Sequence, residues 1–170
     1  STDDDSLVNP ILLKPPIAPT IAASKAGIPI DIDKILKAYE ALTNRHDFVV
    51  VEGVGGLMVP IDDTLFVADL ACKMDLPLVI VSRDYLGTIN HTLLTIEYAR
   101  NRNLRIKGIV INMLKNEDGL VREIEKYSSA PVLGTIPFKE DVSVENCVYG
   151  DIVEDFRREI DISTIMRKET

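Results

Sequence analysis

The chain has 170 residues, of which 46% are hydrophobic and 27% are charged, a composition typical of one globular domain. Its net charge of −8 argues against a surface that binds nucleic acid or an anionic membrane. No apolar run approaches the roughly 20 residues of a membrane span, and the first residues do not resemble a signal peptide. We therefore expect a cytoplasmic protein without a nucleic-acid or membrane partner.

Helices and apolar strands alternate along the chain. The first 20 residues carry four prolines and are predicted to be irregular. Amphipathic spacing then predicts helices at residues 21–27, 31–46, 64–75 (capped by Thr64), 86–104, 118–129 and 151–168. Continuous apolar runs predict strands at residues 48–51, 77–83, 105–114 and 130–138. Such strands are typical of a parallel sheet covered by helices on both faces, so we predict a single α/β domain over residues 1–170.

Polar or glycine-rich residues follow each of the four predicted strands. In parallel sheets, ligands bind at the carboxyl ends of the strands, so these residues are expected on one rim. The segments are Glu52-Gly53-Val54-Gly55-Gly56, Ser82 to Asn90, Asn112, and Pro137-Phe138-Lys139.

Glu52 is the candidate metal ligand. Mg²⁺ takes hard oxygen ligands, usually one or two carboxylates together with phosphate oxygens and water. The glycines after Glu52 would let backbone N–H groups approach phosphate oxygens closely. The alternatives are a solvated acid at a loop mouth and a tight turn that needs positive φ.

Gly87, Thr88 and Asn90 cluster where the longest predicted helix begins. A helix N-terminus favours an anion, so a carboxylate or a phosphate could bind there. The alternative is that Thr88 only caps the helix. His91 has no Asp or Ser in register and is interpreted as a polar helix residue.

Asn112 ends the third apolar strand. Its side-chain amide could hydrogen-bond the edge of an adenine through donor and acceptor together, although a lone Asn is more often a turn former. Residues 136–138 offer backbone groups and an aromatic face, or else they only plug the sheet end. The sequence contains no nucleophilic triad and no zinc spacing, and Cys72 and Cys147 match no redox pattern.

Four segments in this order resemble the dethiobiotin synthetase family: VVVEGVGGLMVPIDD, VSRDYLGTINHTLLT, GIVINML and PVLGTIPF. NPILLKPPIAPTIAA is similar to the family's proline-rich segment. The resemblance implies a P-loop NTPase-like fold, a homodimer, and the ATP- and Mg²⁺-dependent conversion of 7,8-diaminononanoate and carbon dioxide (from bicarbonate) to dethiobiotin in biotin synthesis.

The resemblance also implies roles for individual residues. Glu52 would bind Mg²⁺, and residues 52–55 (Glu52, Gly53, Val54, Gly55) would contact ATP. Adenine would be held by Asn112, Met113, Pro137, Phe138 and Lys139. Leu86, Gly87, Thr88 and Asn90 would bind the carboxylate tail of the substrate across the dimer interface.

The sequence departs from the family at its most specific feature. The family's G-x-x-x-x-G-K-[ST] loop is absent from these 170 residues, together with the lysine that meets the substrate. We therefore expect the chain to be the C-terminal portion of a longer synthetase. Two alternatives are a non-catalytic dimerisation or regulatory module, and a related amidating synthetase domain of the cobyrinate type.

Overall fold

The computed structural model describes residues 2–115, 119–143 and 145–167. The chain divides into two compact units, Ser1–Leu76 and Pro77–Thr170, and each is described by itself. The single domain over residues 1–170 stays a prediction. In the described part of the chain, no helix combines the length and the apolar character that crossing a bilayer requires.

The first unit contains four helices among its described residues: α1 (Asp5–Val8), α2 (Pro19–Ala26), α3 (Ile32–Thr43) and α4 (Val67–Lys73). The short α1 lies where we predicted irregular chain. The predictions for α2 and α3 are confirmed to within a few residues. Asp31 caps α3 by accepting a hydrogen bond from the Lys34 amide at 3.0 Å, as an acid at a helix start should.

The predicted cap of α4 is wrong. The Thr64 amide donates to Asp62 Oδ1 at 2.7 Å, so Thr64 belongs to a turn that Asp62 organises. The helix begins after Phe66, whose amide donates to the Asp69 carboxylate at 2.8 Å. Local hydrogen bonds to Asp62 and Asp69 thus place the helix start three residues later than predicted.

The predicted strand at residues 48–51 is also wrong. The segment has no strand partner, and within the described residues its backbone forms no hydrogen bond to another backbone group. Val50 is 80% exposed and Val51 is 42% exposed. A strand exists only through its ladder with a neighbour, and none of the described residues of this unit supplies one.

The second unit is a parallel sheet with helices on both faces, as predicted. Its strands, β1 (Leu78–Arg83), β2 (Ile106–Leu114) and β3 (Val132–Pro137), lie in the order β1-β2-β3 with all pairs parallel. Its helices are α5 (Thr88–Asn101), α6 (Leu120–Ser128), α7 (Ile152–Glu159) and α8 (Ile162–Met166).

The two faces of this sheet carry separate cores, since successive strand residues point to opposite sides. Ile109 and Ile111 of β2 pack with Ile96 of α5 and Ile124 of α6. On the other face, the core consists of Val110, Leu133, Ile136 and Ile160. The middle strand is therefore covered on both sides, which explains its unbroken apolar sequence.

Two predicted helix boundaries need comment. Residue 118, the predicted start of α6, lies outside the described residues, as does residue 168 at the predicted end of the last helix. That last helix is two helices, because the chain turns at Ile160 and Asp161. The Asp161 amide donates to Leu133 O of β3 at 2.8 Å, which ties the break to the sheet.

Candidate functional site

The carboxyl ends of the three strands meet at one edge of the second unit. Arg83 pairs with Asn112, and Leu114 pairs with Pro137, so the three following loops are neighbours. The Asp84 amide donates to Asn112 O at 3.2 Å. We call residues 84–90, 112–115 and 137–139 the rim; these segments contain the predicted substrate and adenine residues of this unit.

The loop between β1 and α5 forms the first part of the rim. Gly87 is the N-cap of α5 and has φ +97°, a conformation that side-chain-bearing residues rarely adopt. The backbone amides of Ile89 and Asn90 have no acceptor among the described residues, as expected in a first helical turn. An open depression of about 290 Å³ lies here, lined by Asp84, Tyr85, Leu86, Gly87, Thr88, Ile89 and Leu120. The loop thus offers unpaired N–H groups beside a cleft.

The side chain of Thr88 faces the interior rather than the cleft. Thr88 is 4% exposed, and its hydroxyl lies 2.7 Å from the Ser82 hydroxyl. The alternative in which Thr88 caps α5 is therefore wrong, because Gly87 holds that position without a side-chain bond. The Thr88 amide donates to Tyr85 O at 3.1 Å, so neither its hydroxyl nor its N–H group is free for contact with a ligand.

His91 has a partner that sequence reasoning missed. The Tyr85 hydroxyl lies 2.5 Å from His91 Nδ1, and both side chains are exposed. The two residues are six positions apart, on either side of Gly87, so only the left-handed turn at that glycine brings them together. Neither helical nor strand spacing in the sequence predicts such a pair.

The loop after β2 forms the second part of the rim. Met113 has φ +56°, which is uncommon for a residue with a bulky side chain. Its amide donates to Asn112 Oδ1 at 2.9 Å, so one lone pair of the predicted adenine-binding amide is already used. The NH₂ group and the second lone pair of that amide remain. The predicted two-sided recognition of adenine is therefore still chemically possible.

The loop after β3 completes the rim. Phe138 is 40% exposed, and Lys115 Nζ lies 4.5 Å from its ring centroid. An open depression of about 290 Å³ beside this pair is lined by Leu114, Lys115, Thr135, Pro137 and Glu159. An aromatic face and a cation at the lip of a cleft suit a flat heteroaromatic base.

Lys139 is engaged by an acid that sequence reasoning missed. Its Nζ lies 2.6 Å from Asp155 Oδ2, and Asp155 Oδ1 lies 2.7 Å from Arg158 Nη2. The close contact with Asp155 raises the pKa of Lys139, and the same contact lowers the pKa of Asp155. Asp155 is buried, and it lies three residues after Ile152 on the same face of α7. An acid at a position where helical spacing predicts a core residue was the sequence signal that could have identified it.

The glycine segment, residues 52–56, lies in the first unit. Glu52 is exposed and has no hydrogen-bond or ion-pair partner among the described residues. Gly55 has φ +82°, and a Cβ there would lie 3.2 Å from Val59 Cγ2. The Val59 amide donates to Gly56 O at 3.0 Å, which closes the turn. The glycine at position 55 is thus required by the backbone itself.

The predicted residues therefore fall into two sets. Those of the second unit share the rim. Glu52, Gly53, Val54 and Gly55 belong to the first unit, and their place in the same site stays a prediction. Across residues 2–115, 119–143 and 145–167, no group of three or more His, Cys, Asp or Glu side chains could hold a metal ion.

Comparison with known proteins gives consistent matches. A family model described as an AAA domain matches residues 1–146. An ATP-dependent dethiobiotin synthetase of Methanocaldococcus jannaschii is 39% identical over 85% of this chain and 73% of its own length. The synthetase of Bacillus licheniformis is 37% identical over 96% of this chain and 70% of its own length. The synthetase of Anoxybacillus flavithermus is 41% identical over 87% of this chain and 68% of its own length.

Two solved structures share the fold. A ParA family ATPase from Chlorobium tepidum has a TM-score of 0.52 at 18% identity, over 82% of this chain and 53% of its own. The MinC:MinD cell division complex of Aquifex aeolicus has a TM-score of 0.50 at 21% identity, over 76% of this chain and 50% of its own. The chain thus spans about half the length of these two structures, and the likeness confirms the predicted α/β fold of the P-loop NTPase type.

The similarity of sequence extends over most of the chain and of its relatives, and the α/β fold agrees with it. The chain belongs to the ATP-dependent dethiobiotin synthetase family, a family of ligases in biotin biosynthesis.

Proposed function

We propose that this chain binds the carboxylate of 7,8-diaminononanoate and the adenine of ATP on the rim, binds Mg²⁺ through Glu52, and takes part in the closure of the dethiobiotin ring. Carbon dioxide adds to one amine of the substrate and forms a carbamate. A carbamate oxygen attacks the γ-phosphorus of ATP, and ADP leaves. The second amine then attacks the carbamoyl carbon, which closes the ureido ring and expels phosphate.

The start of α5 is the proposed site for the carboxylate of the substrate. The free amides of Ile89 and Asn90 and the positive end of the helix dipole favour a carboxylate there. Gly87 adds no side chain to obstruct its approach. Leu86, Gly87 and Asn90 would form this contact, and Thr88, whose hydroxyl and amide are both paired, would hold the start of the helix in place.

The loops after β2 and β3 are the proposed site for adenine. The Asn112 amide would pair with the base edge, and Phe138 with Lys115 would lie beside its face. Met113 and Pro137 would line the pocket. Lys139 would position the loop through Asp155 rather than contact the base, since its ammonium group is already paired.

Glu52 and the glycine segment are the proposed site for the metal-bound phosphates. The donor chemistry fits, because Glu52 offers an exposed carboxylate that pairs with none of the residues the structure describes. Mg²⁺, when bound, would neutralise charge that develops on the transferring phosphoryl group. The turn fixed by Gly55 would keep the amides of Gly53 and Val54 within reach of phosphate oxygens.

We also propose a homodimer in the cytoplasm. Leu86 is 100% exposed, and Leu94 on α5 is 60% exposed. Exposed apolar side chains beside a cleft are typical of a surface that a second subunit covers. The carboxylate site would then lie next to the partner subunit.

One observation supports this function most: the unpaired amides of α5, the Asn112 side chain and the Phe138 ring lie on one rim, at neighbouring strand ends. Turnover is the test. The protein, expressed at the length that its gene encodes, is expected to convert diaminononanoate, bicarbonate and Mg²⁺-ATP to dethiobiotin, measured by mass spectrometry. Omission of ATP should abolish the product. Binding of ATP and diamine without any product would instead favour the non-catalytic module.

A further inference from the structure

We propose that Ser82 is a positioning residue for the substrate. Its buried hydroxyl would fix where α5 begins, and so would fix the amides that receive the substrate carboxylate. This inference rests on the function proposed above. It concerns a residue on the strand, behind the loop that contacts the ligand.

Ser82 connects the sheet to the helix through two short hydrogen bonds. Its hydroxyl lies 2.7 Å from that of Thr88 and 2.8 Å from that of Thr92. All three side chains are buried. Thr88 and Thr92 are four residues apart, so they present adjacent hydroxyls on one face of the first two turns of α5.

The number of hydroxyl protons limits which of the three side chains can donate. Each hydroxyl has one proton and two lone pairs. Ser82 can donate in only one of its two bonds, so at least one threonine must donate to it. Buried hydroxyls are unfavourable unless they are paired, and this trio pairs only while α5 stays at one position along β1. An apolar residue at position 82 could pack there without defining that position.

The loop between β1 and α5 has few buried contacts at the end that leads into α5. Its near end is fixed to β2, because the Asp84 amide donates to Asn112 O and the Lys115 amide donates to Asp84. Between Asp84 and Thr88, however, Tyr85, Leu86 and Gly87 are all exposed. The Tyr85–His91 bond beside these residues is exposed, and Ile89 contributes only apolar packing against the core. The bond between Ser82 and Thr88 is therefore the buried hydrogen bond nearest to the free amides of Ile89 and Asn90.

The Ser82→Ala variant tests the inference by comparing two substrates. One is diaminononanoate, and the other is a vicinal diamine of the same length without the carboxylate. We expect kcat/KM for diaminononanoate to fall about ten- to a hundredfold, as for a small misplacement of a binding group. The value for the diamine without carboxylate, and the KM for ATP, should stay within about twofold.

Thr95→Val is the matched control. Thr95 is on the same helix, and its hydroxyl donates to His91 O at 2.8 Å, away from Ser82. Removal of that hydroxyl should leave kcat/KM unchanged for both substrates. If Ser82→Ala does not fold, Thr92→Val removes the other hydrogen bond of the Ser82 hydroxyl and should lower kcat/KM for diaminononanoate relative to that for the diamine, while Thr92→Ser should preserve this ratio.

The outcomes separate this inference from the proposed function. Equal losses with both substrates, or a lower melting temperature with unchanged kinetics, would mean that Ser82 only stabilises the fold, and the inference would be overturned. If the wild-type protein does not turn over diaminononanoate, the proposed function fails and the inference fails with it.

Discussion

Apolar sequences precede both the rim loops and the glycine segment, yet only those before the rim loops form strands. β2 has a partner on each side, and backbone hydrogen bonds join the rim loops, as between Phe138 N and Leu114 O at 2.9 Å. Residues 48–51 have no such partner in the part of the chain that the structure describes, and Val50 is exposed. The difference teaches that an apolar run becomes a strand only when another strand completes its ladder.

Glu52→Gln is expected to have the largest effect, and that effect should fall on activity alone. Loss of a charged metal ligand should lower kcat/KM by about a hundredfold or more. Because Glu52 is exposed and has no partner among the described residues, the melting temperature should not change. Steady-state kinetics over a range of Mg²⁺ concentrations, with thermal unfolding alongside, would measure both.

Asp47→Asn is the control for Glu52→Gln, since Asp47 is an exposed acid five residues earlier in the same extended segment. It should leave activity and stability unchanged. Full activity of Glu52→Gln at limiting Mg²⁺ would remove the glycine segment from the site and leave the rim alone.

Most of the second unit could be predicted from its sequence, because its strands are apolar throughout and the intervening helices are amphipathic. The position of the rim followed from the rule for strand ends, which needs only the strand order along the chain. The failure at residues 48–51 has the opposite cause. That segment has the same local pattern as β1, but its structure depends on a neighbour that local pattern cannot specify.

The orientations of side chains within the site were not predictable. Thr88 points inward because Ser82 lies under α5, a contact set by the path of the loop between them. Asp155 is 16 residues from Lys139, and only the packing of α7 beside β3 brings the two together. Sequence patterns predict which residues reach the rim, whereas tertiary contacts decide which of their atoms remain free.

Asp155→Asn is expected to affect the rim through stability. The substitution removes the negative charge of a buried carboxylate that pairs with Lys139 and Arg158. Loss of one partner of a buried ion pair should lower the melting temperature by roughly 10 °C. It should also raise the KM for ATP, because Lys139 would no longer hold the loop after β3. Calorimetry and kinetics would measure these changes.

Glu154→Gln provides the comparison for Asp155→Asn. Glu154 is the preceding residue, is exposed, and forms a 3.9 Å pair with Arg157. Such surface pairs contribute little, so the melting temperature should move by about 1 °C or less. Equal effects of the two substitutions would show that the burial of Asp155 has no consequence.

Gly55→Ala tests whether the glycine segment depends on its own backbone. The left-handed conformation costs an alanine about 1–2 kcal/mol, and the new Cβ would lie 3.2 Å from Val59 Cγ2. The free energy of unfolding should fall by about that amount in a denaturant titration. Gly56→Ala, which has open space and no positive φ, should be neutral or slightly stabilising. Equal losses at the two positions would contradict the assigned turn.

The smallest expected effect concerns Asp161, at the break between α7 and α8. Hydrogen bonds from Ser163 Oγ, from the Thr164 hydroxyl and from the Thr164 amide lower its pKa to about 2. A carboxyl group with a lowered pKa in the folded state stabilises that state above its unfolded pKa of 3.8. This contribution is lost as the pH falls from there towards 2.

Asp161→Asn should therefore be slightly less stable than the wild-type protein at pH 7. The difference in unfolding free energy should stay constant down to about pH 5 and narrow steadily below pH 4. Urea titrations at several pH values would measure it. If the difference for Asp161→Asn is as large at pH 2 as at pH 7, the lost interaction does not depend on the charge of the carboxylate. In that case the connection between α7 and α8 is held by the backbone bond from Asp161 to Leu133, and the sheet rather than the cap determines where the last helix begins.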